Sequence, residues 1–265
     1  MKILIKNELF HSKEKYDRVT GLTDFVNLLF ENYFYQHEIP TEALESYYVD
    51  YYNQEVIHGG IAQFVYNSKW KNEMVNHALN GLCNMGAKKH AELFEKLIHI
   101  VNEMGEKLNT FLESDFFQEN IKEREILNQL NKKFFSVDEM EDLVECNWQF
   151  IGNLKNIEIV DSETWTLQME DIFKSLPDRN EREKEAERLA KENESDEEKK
   201  IEKILEKAGQ ELLFINGINP GERNGQIVSE WHVTTSTGDH YVIFQDDKVL
   251  LFDGDNHRII YEMPV

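Results

Sequence analysis

Apolar residues recur at helical spacing through the first half of the chain and at a spacing of two only near its end. Over residues 23–36, Phe25, Leu28, Leu29 and Tyr33 share one helical face, and Ile39-Pro40 supplies the turn that follows. Thr41 is placed to cap the next helix, whose stripe is Leu44, Tyr47, Tyr48 and Tyr51, with Gly59-Gly60 as its end. The same period predicts helices at about 61–66, 72–84, 87–109, 116–133 and 137–154. The four prolines, Pro40, Pro177, Pro220 and Pro264, leave these helices uninterrupted.

After Pro177 the pattern changes. Residues 178–208, DRNEREKEAERLAKENESDEEKKIEKILEKA, are dominated by charge, with few apolar groups before Ile201, Ile204 and Leu205. This reads as a solvated, charged helical linker. Beyond it WHVTTSTG, DHYVIFQDD, KVLLFDGD and HRIIYEMP alternate with period two, separated by Thr237-Gly238, Asp246-Asp247 and Gly254-Asp255-Asn256. That predicts an antiparallel meander, preceded by a strand at 212–216 and faced by the helix near 201–208. The expected fold is therefore mainly α. A helical bundle spans 1–177, the charged linker 178–208, and a small β-meander domain 209–265.

The chain has 265 residues and is 40% hydrophobic, with 16 Phe, 10 Tyr and 4 Trp, enough for real cores. Its formal charge of −22 argues against direct binding to nucleic acid or an anionic membrane and points to a basic protein partner. The charge is unevenly placed. Residues 19–68 hold seven acids (Asp24, Glu31, Glu38, Glu42, Glu45, Asp50, Glu55) and no Lys or Arg, and residues 134–173 hold ten acids against Lys155 alone. Two cysteines, Cys83 and Cys146, with no CxxC, indicate neither a disulfide framework nor a thiolate metal site. The opening MKILIKNELFHSKEKY has no apolar signal region, so a cytoplasmic location is expected.

Signs of catalysis are sparse. GINPGERNG at 217–225 lacks the Lys-Ser/Thr of a phosphate loop, and neither GxSxG nor HExxH occurs. No two histidines fall at i, i+4 within a helix. His232, His240 and His257, with Asp239 and Asp255, would need to converge on one sheet face to bind metal, and they read better as strand and turn residues. Asp253-Gly254-Asp255-Asn256 lacks the twelve-residue ligand sequence of a calcium loop and reads as a hairpin turn. No cofactor or metal is expected.

The segment YYVDYYNQEVIHGGIAQFVYNSKW at 47–70 contains Glu55-Val56-x-x-Gly59-Gly60-x-x-Gln63-Phe64-x-Tyr66-Asn67-Ser68, preceded by Tyr47, Tyr48 and Tyr51. It resembles the signature of a bacterial domain family whose best-known members are DNA-mimic proteins. In that family an aromatic-rich helix runs into a Val-x-x-Gly-Gly pattern followed by Gln-Phe and Asn. The resemblance covers about 20–155 and implies a compact helical bundle and DNA mimicry. Ile61 stands where the pattern has an aromatic residue, and the meander lies outside the family domain. Physically, Glu55, Gly59, Gly60, Gln63, Phe64 and Asn67 read as structural. The glycines supply positive φ for a close turn. Glu55 is expected half-buried and hydrogen-bonded, and Gln63 and Asn67 are expected to serve free backbone groups of the turn.

A second constellation lies on the helix expected at 137–154. Met140, Leu143, Val144, Asn147, Trp148, Ile151 and Leu154 form its packed side, and Asp138, Glu141, Asp142 and Glu145 form a carboxylate stripe opposite. Ser136-x-x-Glu139 reads as its capping box. Together with Glu42 and Glu45, these four acids are the expected partner-binding surface. The function expected is that of a non-enzymatic, acidic interaction protein, a DNA mimic occupying the basic surface of a transcription factor or another DNA-binding protein. Alternatives are an immunity-type inhibitor of a basic nuclease toxin and a hydrolase using Glu55 or the C-terminal histidines.

Overall fold

The computed structural model describes residues 1–117, 121–223, 225–245 and 247–265. Residues 118–120, near the start of the helix expected at 116–133, Asn224 of the GINPGERNG segment and Asp246 of the Asp246-Asp247 turn lie outside these residues. The chain is mainly helical with a C-terminal five-stranded antiparallel sheet, and it divides into two compact units. One comprises Met1–Glu113 and Lys122–Glu185, the other Ser114–Ile121 and Ala186–Val265.

The first unit opens with strand β1 (Ile3–Lys6), a short α1 (Asn7–Phe10) and α2 (Lys15–Glu31). The long α3 (Thr41–Asn67) follows, then α4 (Asn72–Asn84), α5 (Lys88–Met104), α6 (Glu106–Glu113), α7 (Ile121–Asn128), α8 (Asn131–Asp138) and α9 (Leu143–Asn153). Strand β2 (Ile157–Val160) and α10 (Ser162–Lys174) complete it, and α11 (Arg179–Asn193) begins within it. Helix α3 is the centre. It buries Leu44, Tyr48, Val49, Tyr52, Val56, Ile61, Phe64 and Val65, and Tyr52 meets Phe64, Phe94 and Phe134 edge to face at centroid distances of 5.0, 4.9 and 5.5 Å. Such perpendicular contacts add to the area term because ring edges are positive and faces negative.

At Gly59-Gly60, where the pattern ends the helix, two helical segments meet across a kink within α3. Gly60 takes φ 85° and ψ 175°, a conformation that a Cβ makes costly, and the helix resumes at once. The bend strips Ile61 and Ala62 of intrahelical partners for their N–H groups. Asn131 Oδ1 accepts from Ile61 N at 2.9 Å and Asn128 Oδ1 from Ala62 N at 3.0 Å. Two side chains from the α7–α8 turn thus cap the second half of α3.

The single helix expected at 137–154 is two helices. Helix α8 ends at Asp138 and α9 starts at Leu143 because Asp142 accepts from Glu145 N (3.0 Å) as an N-cap, while Asp138 Oδ1 accepts from Leu143 N (3.1 Å). Ser136 is no cap: it lies inside α8 and donates to Lys132 O at 2.9 Å. The pattern also hid a parallel pair. β1 and β2 align Ile3 with Ile157 and Ile5 with Ile159, and Ile3 and Ile5 are fully buried. Trp165 of α10 donates its indole N–H to Leu4 O at 3.1 Å, fixing that helix against β1.

In the second unit, Ser195 and Glu198 form the capping box of α12 (Asp196–Lys207). Ile201, Ile204 and Leu205 pack onto Val233, Val242, Val249, Leu251 and Met263 of the sheet. The strands β3 (Leu212–Arg223), β4 (Gln226–Thr235), β5 (Gly238–Phe244), β6 (Lys248–Asp253) and β7 (Ile259–Pro264) pair in sequence order, as a meander should. Strand β3 is longer than 212–216 and carries Pro220, tolerated because β3 is an edge strand whose other side needs no ladder donor. Tyr241, Ile243, Leu250 and Phe252 form a second cluster on the sheet. Asp115 accepts from Ser229 Oγ at 2.7 Å.

Gly60→Ala places a Cβ within 2.5 Å of Asn131 Nδ2 and 2.8 Å of Asn128 Oδ1 at a positive φ. A loss of about 1–3 kcal/mol is expected in chemical denaturation. An unchanged midpoint would show that the bend relaxes freely.

Candidate functional site

The Gly-Gly motif is organised around one carboxylate. Glu55 Oε2 accepts from Gln63 Nε2 at 3.0 Å and from Asn67 Nδ2 at 2.8 Å, joining the two halves of α3 across the bend. Burial, then the Glu55 charge, push the Tyr51 phenol pKa upward. Gln63 and Asn67 therefore do not serve the turn's backbone, as their spacing suggests, because Asn128 and Asn131 already do. Gly59 is small by necessity, since a Cβ there would overlap the Gln63 side chain. Phe64 is buried among Tyr51, Tyr52, Trp70 and Phe94. Tyr51 and Asn67 also line a pocket of about 370 Å³ beside α3, walled by Phe30, Tyr47 and Tyr48.

The carboxylates expected to face a partner are mostly engaged within the fold. Glu45 is 4% exposed and both its oxygens accept from Asn84 Nδ2, at 3.0 and 2.9 Å, so it does not belong to an exposed surface. Burial pushes its pKa up against that hydrogen bonding. Glu42 is half-buried, and its side chain makes no hydrogen bond or ion pair among the described residues. Glu141 Oε2 accepts from Lys89 N (2.8 Å) and His90 N (3.0 Å), capping α5. Asp142 caps α9, and Glu145 pairs with Lys15 and accepts from Gln149 Nε2 at 2.6 Å, which holds its pKa low. For Asp138 burial works upward, but hydrogen bonds from the buried His90 and from Leu143 N prevail and hold it low. With the helix broken between Asp138 and Leu143, the four do not form one stripe.

Exposed acids stand elsewhere. Glu31, Glu139, Glu163 and Asp171 are exposed, and their side chains make no hydrogen bond or ion pair among the described residues. On α10, Trp165 and Met169 are buried while Glu163, Glu170 and Asp171 are exposed. Sequence reading passed over α10 because its apolar stripe is short.

Asp50 is the most perturbed acid. It is 7% exposed, takes hydrogen bonds from Tyr16 Oη at 3.3 Å and Gln54 Nε2 at 3.5 Å, and burial pushes its pKa up to about 6 against them. The C-terminal histidines do not converge. His232 pairs across the ladder with Tyr241, whereas His240 is the next residue along β5 and so points to the other face. His257 Nδ1 lies 3.3 Å from Tyr241 Oη. Among the described residues no group of three or more His, Cys, Asp or Glu is placed to hold a metal ion, and no helix is long and apolar enough to cross a membrane.

Fold and charge define an acidic, mainly helical protein with an added antiparallel sheet. Residues 37–153 match the model of the family described as DMP19-like protein, which contains the bent helix α3 and the segments that cap it. The DNA-mimic resemblance seen in the motif therefore holds over that stretch. No curated protein and no solved structure matches the chain.

Glu141→Ala should cost about 1–3 kcal/mol, since it leaves two N–H groups of α5 without their acceptor. Urea titration measures it, and no change would return Glu141 to the pool of spare surface charge. Asp50 gives a pH signature. The folded chain keeps its proton to about pH 6, whereas an unfolded carboxyl gives it up near pH 4. The folded state thus binds more protons between those values, and this group's contribution falls as pH rises through them. Relative to Asp50→Asn, the wild type should lose up to about 2–3 kcal/mol between pH 4 and pH 6. Parallel stability profiles would refute the raised pKa.

Proposed function

We propose that this chain is a non-enzymatic protein that occupies the basic DNA-binding surface of a protein partner in the cytoplasm. The observation that carries the reading is the match of residues 37–153 to the DMP19-like family. Charge supports it: a net −22 repels nucleic acid and attracts a basic protein at long range. The unpaired thiols Cys83 and Cys146 fit a reducing compartment. The engaged state of Asp138, Glu141, Asp142 and Glu145 moves the contact surface towards acids without internal partners, namely Glu31, Glu139, Glu163 and Asp171. Glu42 remains beside them as a half-buried candidate.

A DNA-binding protein retained from the native host on immobilised chain provides the test. Duplex DNA should displace it competitively. Raising salt beyond about 0.15 M, where the Debye length is about 8 Å, should weaken the complex. Replacing Glu31, Glu139, Glu163 and Asp171 by their amides should slow association by about tenfold or more while leaving the melting temperature unchanged. A partner that holds DNA and this chain together with undiminished affinity for each would exclude mimicry.

A further inference from the structure

The pocket beside α3 has walls suited to a cation. Phe30 and Tyr47 lie 5.9 Å apart at 66°, and Tyr47 and Tyr48 lie 5.1 Å apart at 79°, so successive ring planes stand nearly at right angles. Tyr51 completes the wall. Aromatic faces carry the negative part of the ring quadrupole, and several turned about one space attract a desolvated cation. The charge of Glu55 acts on Tyr51, and this carboxylate is held by neutral amides and has no cationic partner among the described residues. That charge therefore adds to the attraction. Gln36 donates through Nε2 to Tyr48 Oη at 2.5 Å, and its Oε1, although buried, has no hydrogen-bond partner among the described residues. Gln36 lines the pocket, so this unpartnered acceptor lies beside its wall, beneath the surface.

Two lysines line the same pocket. Lys69 is committed elsewhere: its ammonium donates to Leu112 O at 2.7 Å and covers the Tyr66 ring at 4.0 Å. Lys71 is exposed and opposes a cation from the rim.

We propose that the pocket formed by Phe30, Tyr47, Tyr48 and Tyr51 receives one arginine side chain of a basic protein partner. A guanidinium matches it better than an ammonium because it stacks flat on an aromatic face while keeping in-plane donors for Gln36 Oε1. The proposal rests on the reading that the partner is basic and adds an anchor to it. Buried arginine and aromatic contacts of this kind carry a large share of interface energy.

The test needs no identified partner, so its failure is distinct from failure of DNA competition. A blocked Gly-Arg-Gly peptide is titrated into the full chain and followed by tyrosine fluorescence and NMR. Saturable binding near about 1 mM is expected, as befits a single side chain. Peptides with citrulline or lysine in place of arginine should bind about tenfold more weakly or worse. Tyr47→Phe should bind as wild type, Tyr47→Leu about tenfold more weakly at an unchanged fold by circular dichroism, and Lys71→Ala more tightly. Equal binding of the citrulline peptide, or of the lysine peptide, would overturn the guanidinium assignment. So would saturation of the same tyrosines by inorganic phosphate through Lys71, or absence of saturable arginine binding.

Discussion

The helical unit depends on satisfying a break in its own central helix. α3 is buried over most of its length, and at Gly60 it turns through a backbone conformation that leaves Ile61 and Ala62 without intrahelical acceptors. A buried N–H without a partner costs more than an ordinary hydrogen bond contributes. The fold answers with Asn128 and Asn131 on one side of the bend and with Glu55, Gln63 and Asn67 on the other. The chain from α7 to α8 is consequently fixed against α3, and Phe134 of α8 is carried into the ring cluster around Tyr52.

The sequence disclosed the elements whose signals are local. The meander, the sheet-facing side of α12 and helix α4 follow from periods and turn residues within a dozen positions of one another, and α4 spans the expected 72–84. What it hid is non-local. β1 and β2 are four residues each and pair in parallel across some 150 positions, so neither carries its own pattern. The caps from Asn128 and Asn131 sit about 70 residues from the amides they serve. The break between α8 and α9 was missed for a different reason: the apolar period runs through it, while Asp142 chooses to cap a new helix rather than continue the old one.

The candidate site shows the same division. The motif residues were identifiable from composition and spacing, and the role of Gly60 followed from glycine's access to positive φ. The assignment of Gln63 and Asn67 to Glu55 did not, because a helix presents both backbone and side-chain acceptors one turn away. For the acids, counting charges located the two acid-rich segments but not their use. An exposed row and a set of caps have the same composition.

That second use explains how the chain tolerates its charge. Residues 19–68 lack Lys and Arg altogether. Glu38 pairs with Arg182 from outside the segment, whereas three other carboxylates draw on neutral donors: Asn84 for Glu45, Tyr16 and Gln54 for Asp50, Gln63 and Asn67 for Glu55. Hydrogen bonds of this kind favour the ionised form without cancelling it. A salt bridge would have removed the charge from the distant field; an amide leaves it there. Part of the charge near α3 thus sits on carboxylates whose positions the core fixes, and a rigid array of charge loses less on meeting a complementary surface than a flexible one. Under the reading given to this chain, the acids that hold the fold and those that face solvent act together, the first setting the sign of the field and the second making contact.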